Sequence, residues 1–127
     1  MQTPPYPELK LLIDGQWRHG SADTADVVLN PATNAALGEL RHASDDDLAD
    51  AVAAAGRAFA VWRDMAPVDR SAILRRAAGL LRERNRAIAS ALTMEQGKVL
   101  AEALLEVEAA AASIDWMAEE GRRAYGR

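Results

Sequence analysis

Glu95-Gln96-Gly97-Lys98 opens the stretch that decides the fold, because a long uninterrupted helical pattern begins directly after it. From Val99 to about Arg123 there is no proline, and apolar residues recur at steps of four and three, at Leu100, Leu104, Val107, Ala111, Ile114 and Ala118. This spacing places them on one side of a helix. Gly97 interrupts the pattern before the helix, and Gly126 stands where a left-handed cap would close it. We therefore expect one long helix with the upstream elements packed against it.

Two further helical regions precede this stretch. Ser44 is a suitable N-cap, and three aspartates follow it in the first turn, where the helix dipole favours negative charge. The apolar stripe of this helix is Leu48, Val52, Ala55, Phe59 and Trp62, and it ends near Arg63. Pro67 suits the first position of the next helix, and Asn85 is expected to interrupt it before Gly97. The predicted buried stripe of that second region is Ile73, Ala77, Leu80 and Leu81, continued by Ile88, Ala91 and Leu92.

The first third of the chain has strand signals instead. Leu11-Leu12-Ile13 and Gln16-Trp17-Arg18 flank Asp14-Gly15, which predicts a hairpin because both turn positions need positive φ. Asp26–Leu29 is a third strand, stopped by Asn30-Pro31, and Ala36–Arg41 a fourth. The predicted class is α+β, a short antiparallel β-ribbon followed by three to four amphipathic helices. We expect an extended lead-in at 1–10, the ribbon at 11–43 and a helical layer at 44–127.

Composition limits the possible functions of these 127 residues. The sequence contains no cysteine, which excludes disulfides, thiolate metal sites and a cysteine nucleophile within it. The net charge of −4 argues against nucleic-acid binding, although Arg82, Arg84 and Arg86 could form either a solvated face or a phosphate site. Neither a signal peptide nor a membrane-spanning apolar run is evident, so we expect a cytoplasmic protein without a membrane partner.

Few residues suggest chemistry. Gly97-Lys98 lacks the second glycine and the Ser or Thr of a phosphate loop, and there is no G-x-G-x-x-G dinucleotide motif. His19 and His42 lack the spacing of metal ligands, and a Ser21, His42 and aspartate triad has no supporting motif. The long helix has an acidic side, which consists of Glu102, Glu106, Glu108, Glu119 and Glu120. Two interpretations remain: these carboxylates take part in acid–base chemistry, or they provide only solubility and ion pairs.

Several of these segments, in this order, resemble the N-terminal quarter of an NAD(P)-dependent aldehyde dehydrogenase. The resemblance runs from Leu11 to Arg127 through Leu12-Ile13-Asp14-Gly15-Gln16-Trp17, Asn30-Pro31-Ala32-Thr33, Ala51–Ala55, Arg70–Leu74 and Glu95-Gln96-Gly97-Lys98. The ending from Ile114 to Gly126 is similar to the branch that acts on succinate, glutarate and 2-oxoglutarate semialdehydes. The resemblance implies that residues 44–127 are the helical layer of an incomplete cofactor-binding domain in the α/β fold of that family.

The resemblance also implies a mechanism for the complete enzyme. A cysteine thiolate attacks the aldehyde, hydride passes to NAD or NADP, and a glutamate-activated water hydrolyses the thioester. In the family, the nucleophile, the general base and the cofactor-binding elements lie downstream of the position that matches Arg127. We therefore expect no catalytic and no cofactor-binding residue in this chain, no activity and no bound cofactor for it alone, and a homo-oligomer once the remainder of the dehydrogenase is present.

Two sites follow from the resemblance alone. Some family members bind a structural monovalent cation, which maps here onto the backbone carbonyls of Val28 or Leu29 and the carboxylate of Glu95, whereas the simpler alternative is a solvated Glu95. The long helix borders the substrate entrance in the family, so Leu105 and Ala109 are expected to line it. An alternative to the enzyme reading is a stand-alone, non-catalytic helical interaction module. A small nucleic-acid module is a third, disfavoured by acidity.

Overall fold

The Asp14-Gly15 turn joins the first two strands in the computed structural model, which describes residues 5–123. Strand β1 (Leu11–Ile13) pairs antiparallel with β2 (Gln16–Arg18), with Leu12 opposite Trp17. Asp14 has φ 50° and Gly15 φ 75°, so both turn residues adopt the left-handed conformation of a two-residue hairpin. The predicted hairpin is confirmed.

The next two strands form a second, separate ribbon. Strand β3 (Ala25–Leu29) pairs antiparallel with β4 (Ala36–Arg41), and the register shifts between Val28 and Leu29. Within the described residues, the two strand pairs are two-stranded sheets with no hydrogen-bonded ladder between them. The four predicted strands are therefore present, but as two ribbons.

Four helices follow, as the period-3.6 pattern predicted. They are α1 (Asp45–Asp64), α2 (Pro67–Glu83), α3 (Asn85–Gln96) and α4 (Leu100–Glu120). Helix α4 ends earlier than expected, at Glu120, and its C-cap Gly121 has a right-handed conformation with φ −60°. The predicted cap at Gly126 lies outside the described residues. The α+β class is confirmed, and none of the helices described is long and apolar enough to cross a membrane.

The chain divides into two compact units, which we name by their content. The helical unit comprises Asp64–Thr93 and the described part of Lys98–Arg127, and the ribbon unit comprises Pro5–Arg63 and Met94–Gly97.

In the helical unit, α2 packs along α4, and Ala78 of α2 and Ala111 of α4 are fully buried. Ala89, Ala103 and Val107 form the core, and partly buried residues surround it: Leu81, Ile88, Leu92, Leu100 and Leu104. The stripe predicted on α4 is buried or half-buried throughout. The prediction for α2 was partly wrong, because Ile73 and Ala77 are exposed while Ser71 and Ala78 are buried. The small residues allow the two helices to approach closely.

In the ribbon unit, the side of α1 that is buried is not the side that carries its apolar stripe. Asp47 and Ala54 are its buried residues, whereas Leu48 is 61% exposed, Val52 65% and Phe59 61%. Arg18 of the first hairpin pairs with the buried carboxylate of Asp47, and more exposed pairs join Arg18 to Asp50 and Arg57 to Asp14. The side of α1 that carries Asp47 and Ala54 is therefore the buried one, and the amphipathic stripe predicted from the sequence stays at the surface.

Candidate functional site

Two of the segments that carry the resemblance, Asn30-Pro31 and Glu95-Gln96-Gly97, meet in one corner of the ribbon unit. Helix α3 ends at Gln96, and Gly97 turns the chain with φ 72°. A Cβ placed on Gly97 would lie 3.3 Å from Cγ of Pro31. Glycine at this position therefore allows both the positive φ and the close approach of the two motifs.

Asn30 organises the turn on the strand side of this corner. Its side-chain oxygen accepts a hydrogen bond from the Ala32 amide at 2.9 Å, and its carbonyl accepts one from the Asn34 amide at 2.7 Å. Its own amide donates to the Ala35 carbonyl at 2.9 Å. The register shift at Val28/Leu29 directly precedes this turn. Such an irregularity interrupts the regular ladder and can leave backbone groups available to other partners.

Tyr6 connects strand β4 with the end of α3. Its ring lies against Gly38, where an added Cβ would be 3.3 Å from Cε1, and Gly38 is the strand partner of Val28. Its hydroxyl donates a hydrogen bond to Oε1 of Glu95. Burial, followed by this hydrogen bond and the charge of Glu95, raises the pKa of Tyr6 to about 12. The phenol is therefore a neutral donor that orients an exposed carboxylate.

The predicted cation residues Val28, Leu29 and Glu95 all lie in the ribbon unit, and their assignment to a cation site stays a prediction. Glu95 reaches the strand pair through Tyr6 and Gly38, and Gly97 reaches Pro31 directly. Among the described residues there is no group of three or more His, Cys, Asp or Glu side chains suited to a metal. One carboxylate together with backbone oxygens suits a weakly held hard cation of low charge.

The other predicted site lies in the helical unit. Leu105 is 71% exposed and Ala109 is exposed, on the side of α4 opposite the Ala103 and Val107 core. Ala101, Ala112 and Trp116 continue this exposed face at helical spacing. An open cavity of about 480 Å³ lies at the C-terminal end of α4, lined by Arg82, Ala112, Asp115, Trp116, Glu119, Glu120 and Arg123. Leu105 and Ala109 are not among its lining residues.

Sequence reasoning missed the buried carboxylate of Asp47, which has several hydrogen-bond partners. Its Oδ2 accepts hydrogen bonds from the Ser21 amide at 2.8 Å and the Ser44 amide at 3.0 Å, and its Oδ1 pairs with Arg18 at 2.9 Å. The amide of Asp47 in turn binds Oγ of Ser44 at 3.2 Å. The Ser21 and Ser44 amides, with the Ser21 hydroxyl and the charge of Arg18, hold the pKa of Asp47 far below its usual range. The Ser44-x-x-Asp47 spacing is the local signal that could have indicated this reciprocal cap.

The remaining candidates have structural partners. Oγ of Ser21 binds Ser44 and Asp47, whereas His42 binds Asp26 at 2.8 Å, so the triad with Ser21 is not assembled. Arg82 pairs with Glu108 and Asp115 at 2.8 Å, and Lys98 pairs with Glu106. These contacts favour ion pairing over acid–base chemistry for the acidic side of α4.

Comparison with known proteins identifies relatives along nearly the whole chain. The profile of the aldehyde dehydrogenase family matches residues 17–127. The 4-(hydroxymethyl)benzenesulfonate dehydrogenase TsaD1 of Comamonas testosteroni is 49% identical over 100% of this chain and 27% of its own length. The NADP-dependent succinate-semialdehyde dehydrogenase GabD of Escherichia coli K12 is 41% identical over 91% of this chain and 24% of its own.

A solved structure has a closely similar fold. The succinate-semialdehyde dehydrogenase of Burkholderia pseudomallei superposes with a TM-score of 0.89 and 39% identity, over 94% of this chain and 25% of that one. The chain therefore spans about a quarter of the length of the relatives it matches.

Proposed function

The chain belongs to the aldehyde dehydrogenase family, and on that premise we propose that it is part of an NAD(P)-dependent enzyme that oxidises a semialdehyde to the acid. The observation that carries the proposal is the family match over residues 17–127, together with a fold shared with a succinate-semialdehyde dehydrogenase. In this proposal, residues 44–127 are a helical layer of the cofactor-binding domain, and the remainder of the dehydrogenase covers their exposed apolar faces.

The proposed substrate is succinate semialdehyde or a related aldehyde with a distal anionic group. The relatives support this class, since their names specify a carboxylate-bearing semialdehyde in one case and a benzenesulfonate in another. A matched assay panel tests this class with succinate semialdehyde, glutarate semialdehyde and a sulfonated benzaldehyde, and with unsubstituted benzaldehyde as the uncharged control.

The chemical step requires groups that these 127 residues do not contain. There is no cysteine to act as the nucleophile. NAD or NADP supplies the hydride acceptor in the proposed reaction. Leu105 and Ala109 are proposed to line the substrate entrance, and their exposure on an apolar face of α4 supports a lining role. A cytoplasmic location and a homo-oligomeric complete enzyme are proposed on family resemblance alone.

We assign a structural role to the corner at Glu95. There, a monovalent cation would be held by the carboxylate of Glu95 and the backbone carbonyls of Val28 or Leu29. Support comes from the meeting of the two motifs at Gly97 and Pro31 and from the single carboxylate available. The test compares melting in sodium or potassium chloride with melting in tetramethylammonium chloride at equal ionic strength. Glu95→Gln should abolish any alkali-specific rise in Tm, and Glu39→Gln, an exposed glutamate of the same unit, should retain it.

The activity is tested on the intact protein in which these residues occur, purified from its source cells. NAD(P)H formation with the aldehyde panel should show kcat/KM at least about tenfold higher for the anionic aldehydes than for benzaldehyde. Leu105→Trp should change the ranking of the aldehydes, whereas Ala110→Trp, at an exposed position outside the Leu105 face, should not. An intact protein that forms no NAD(P)H with any aldehyde would rule out the proposed function.

A further inference from the structure

The segment before β1 contacts both ribbons of the ribbon unit through its side chains. We define residues 5–10 as the lead-in strap; they are described by the structure but belong to none of its strands. Glu8 pairs with His19, which follows β2, at 3.1 Å. Cδ1 of Leu9 lies 3.8 Å from the position that a Cβ on Gly38 of β4 would occupy. Side-chain contacts therefore hold the strap in place.

The contacts of the strap differ in strength. The side chains of Glu8 and His19 are 61% and 51% exposed, so solvent screens their pairing. Tyr6 is half-buried instead, with its ring against Gly38 and its hydroxyl donating a hydrogen bond to Glu95. A hydrogen bond to a carboxylate is stronger than one between neutral groups, and the aromatic ring adds apolar contact area. Tyr6 is therefore the main anchor of the strap.

Two prolines stiffen the strap around this anchor. Pro5 and Pro7 flank Tyr6, and a proline ring fixes φ and removes the backbone donor. The residue before a proline favours extended backbone, which applies to Tyr6. Such a segment loses less conformational entropy when it docks, because fewer conformations are open to it beforehand. One ring contact and one hydrogen bond can therefore hold this short segment.

The anchor acts on the end of α3, since the two ribbons also meet elsewhere. The Ala22 amide donates to the His42 carbonyl at 3.2 Å, and the backbone of Gly20 lies directly against the same carbonyl. Glu95, in contrast, is in the last turn of α3, just before the chain turns at Gly97. The last turn of a helix has carbonyls without intrahelical partners and tends to fray. The hydrogen bond from Tyr6 therefore supports a turn that is intrinsically weak.

We propose that the lead-in strap is a releasable support for the last turn of α3, with Tyr6 as its anchor. When Tyr6 is docked, Met94–Gly97 are held on the ribbon unit. When Tyr6 is released, the strap and these residues open together without unfolding the rest of the unit, and the Glu95 carboxylate is free for another partner. The inference goes beyond the proposed oxidation, because it concerns local order in the ribbon unit and requires neither substrate nor cofactor.

Amide hydrogen exchange, measured by mass spectrometry on the intact protein in which these residues occur, tests the support directly. Tyr6→Phe removes only the hydroxyl and should speed exchange of the helical amides at 94–96 by at least about threefold. Asp47→Asn weakens the attachment of α1 in the same unit and should leave exchange at 94–96 unchanged at pH 7. Equal exchange at 94–96 in the parent and Tyr6→Phe, or an equal rise throughout the ribbon unit, would overturn the proposal.

Further variants separate the hydroxyl of Tyr6 from its ring. In a Glu95→Ala background, Tyr6→Phe should change exchange at 94–96 by less than about 1.5-fold, because the hydroxyl has lost its acceptor. Gly38→Ala should speed exchange there, because the new Cβ would lie 3.3 Å from Cε1 of Tyr6 and displace the ring. Gly56→Ala, in α1 with no atom within 4 Å of an added Cβ, should not. A full effect of Tyr6→Phe without Glu95, or equal effects of the two glycine variants, would rule out Tyr6 as the anchor.

Discussion

The two units of the chain hold their helices by different kinds of contact. In the helical unit, small apolar residues are fully buried, with Ala89, Ala103 and Val107 at the core between neighbouring helices. In the ribbon unit, the central buried group of α1 is the carboxylate of Asp47, which is held by two serines and an arginine. The first unit is stabilised by close packing, and the second by a network of hydrogen bonds and charge.

The difference explains why the two units leave different surfaces exposed. A helix that packs through its apolar stripe, as α4 does, has that stripe covered, although Leu105 and Trp116 on another side of α4 are exposed. A helix that is fixed through a polar residue beside its stripe, as α1 is, leaves that stripe at the surface. Apolar packing is insensitive to pH, whereas the carboxylate network depends on ionisation.

The largest effect is expected at the core of the helical unit. Ala103 is fully buried beside Ala89 and Val107. Ala103→Asp would place an uncompensated charge there and should lower the free energy of unfolding by about 3–5 kcal/mol. Urea titration followed by circular dichroism measures the loss. Ala101→Asp, exposed on the same helix, is the control, and a similar loss in both variants would show that close packing does not stabilise this unit.

The second effect concerns Asp47 in the ribbon unit. Because its folded pKa is depressed, the stability it contributes is fully present above the ordinary carboxyl pKa of about 3.9 and is lost as the pH falls through the folded pKa. Asp47→Asn should therefore lower Tm at pH 7, and the difference from the parent chain should shrink as the pH falls below about 4. Asp46→Asn, its exposed neighbour, should show a much smaller difference at pH 7. A gap between parent and Asp47→Asn that stays constant down to pH 2 would contradict the assignment.

Much of the local structure could be predicted from the sequence, because its determinants are local. The Asp14-Gly15 pair specified a hairpin, Pro67 and Asn85 specified helix boundaries, and the stripe of α4 identified its buried side. The stripe of α1 gave an equally clear pattern and yet is exposed. Periodicity identifies the apolar side of a helix but not whether another surface in the chain covers it.

The candidate site depended on contacts that are distant in sequence. Tyr6 and Glu95 are 89 residues apart, and Ser21 and Asp47 are 26 apart. No spacing rule connects such pairs, since they meet only after two ribbons and the end of α3 have formed. Family resemblance indicated the Asn30-Pro31 and Glu95–Lys98 segments, but Tyr6, which connects Glu95 with β4, had no sequence signal.

A third prediction concerns Gly97, where the two family motifs meet. Gly97→Ala should destabilise the ribbon unit by about 1–2 kcal/mol, because a residue with a Cβ disfavours the left-handed φ of 72° and the new Cβ would press on Pro31. Gly56→Ala is the matched control. Gly56 is in α1 with no atom within 4 Å of an added Cβ, so alanine there should stabilise by about 0.5–1 kcal/mol. Equal effects of the same sign would mean that the corner tolerates a side chain.

The smallest effect is expected for the ion pairs on the surface of the helical unit. Arg82 binds Glu108 and Asp115 at 2.8 Å, but its side chain is 37% exposed and those of its partners are 51% and 37% exposed. Solvent screens such pairs, so Arg82→Gln should cost less than about 1 kcal/mol, and most of that cost should disappear in high salt. Arg76→Gln, an exposed arginine of α2, is the control for loss of charge alone. If Arg82→Gln cost as much as Ala103→Asp, or if its cost were independent of salt, the helical unit would depend on charge as the ribbon unit does, and the contrast between the two units would not hold.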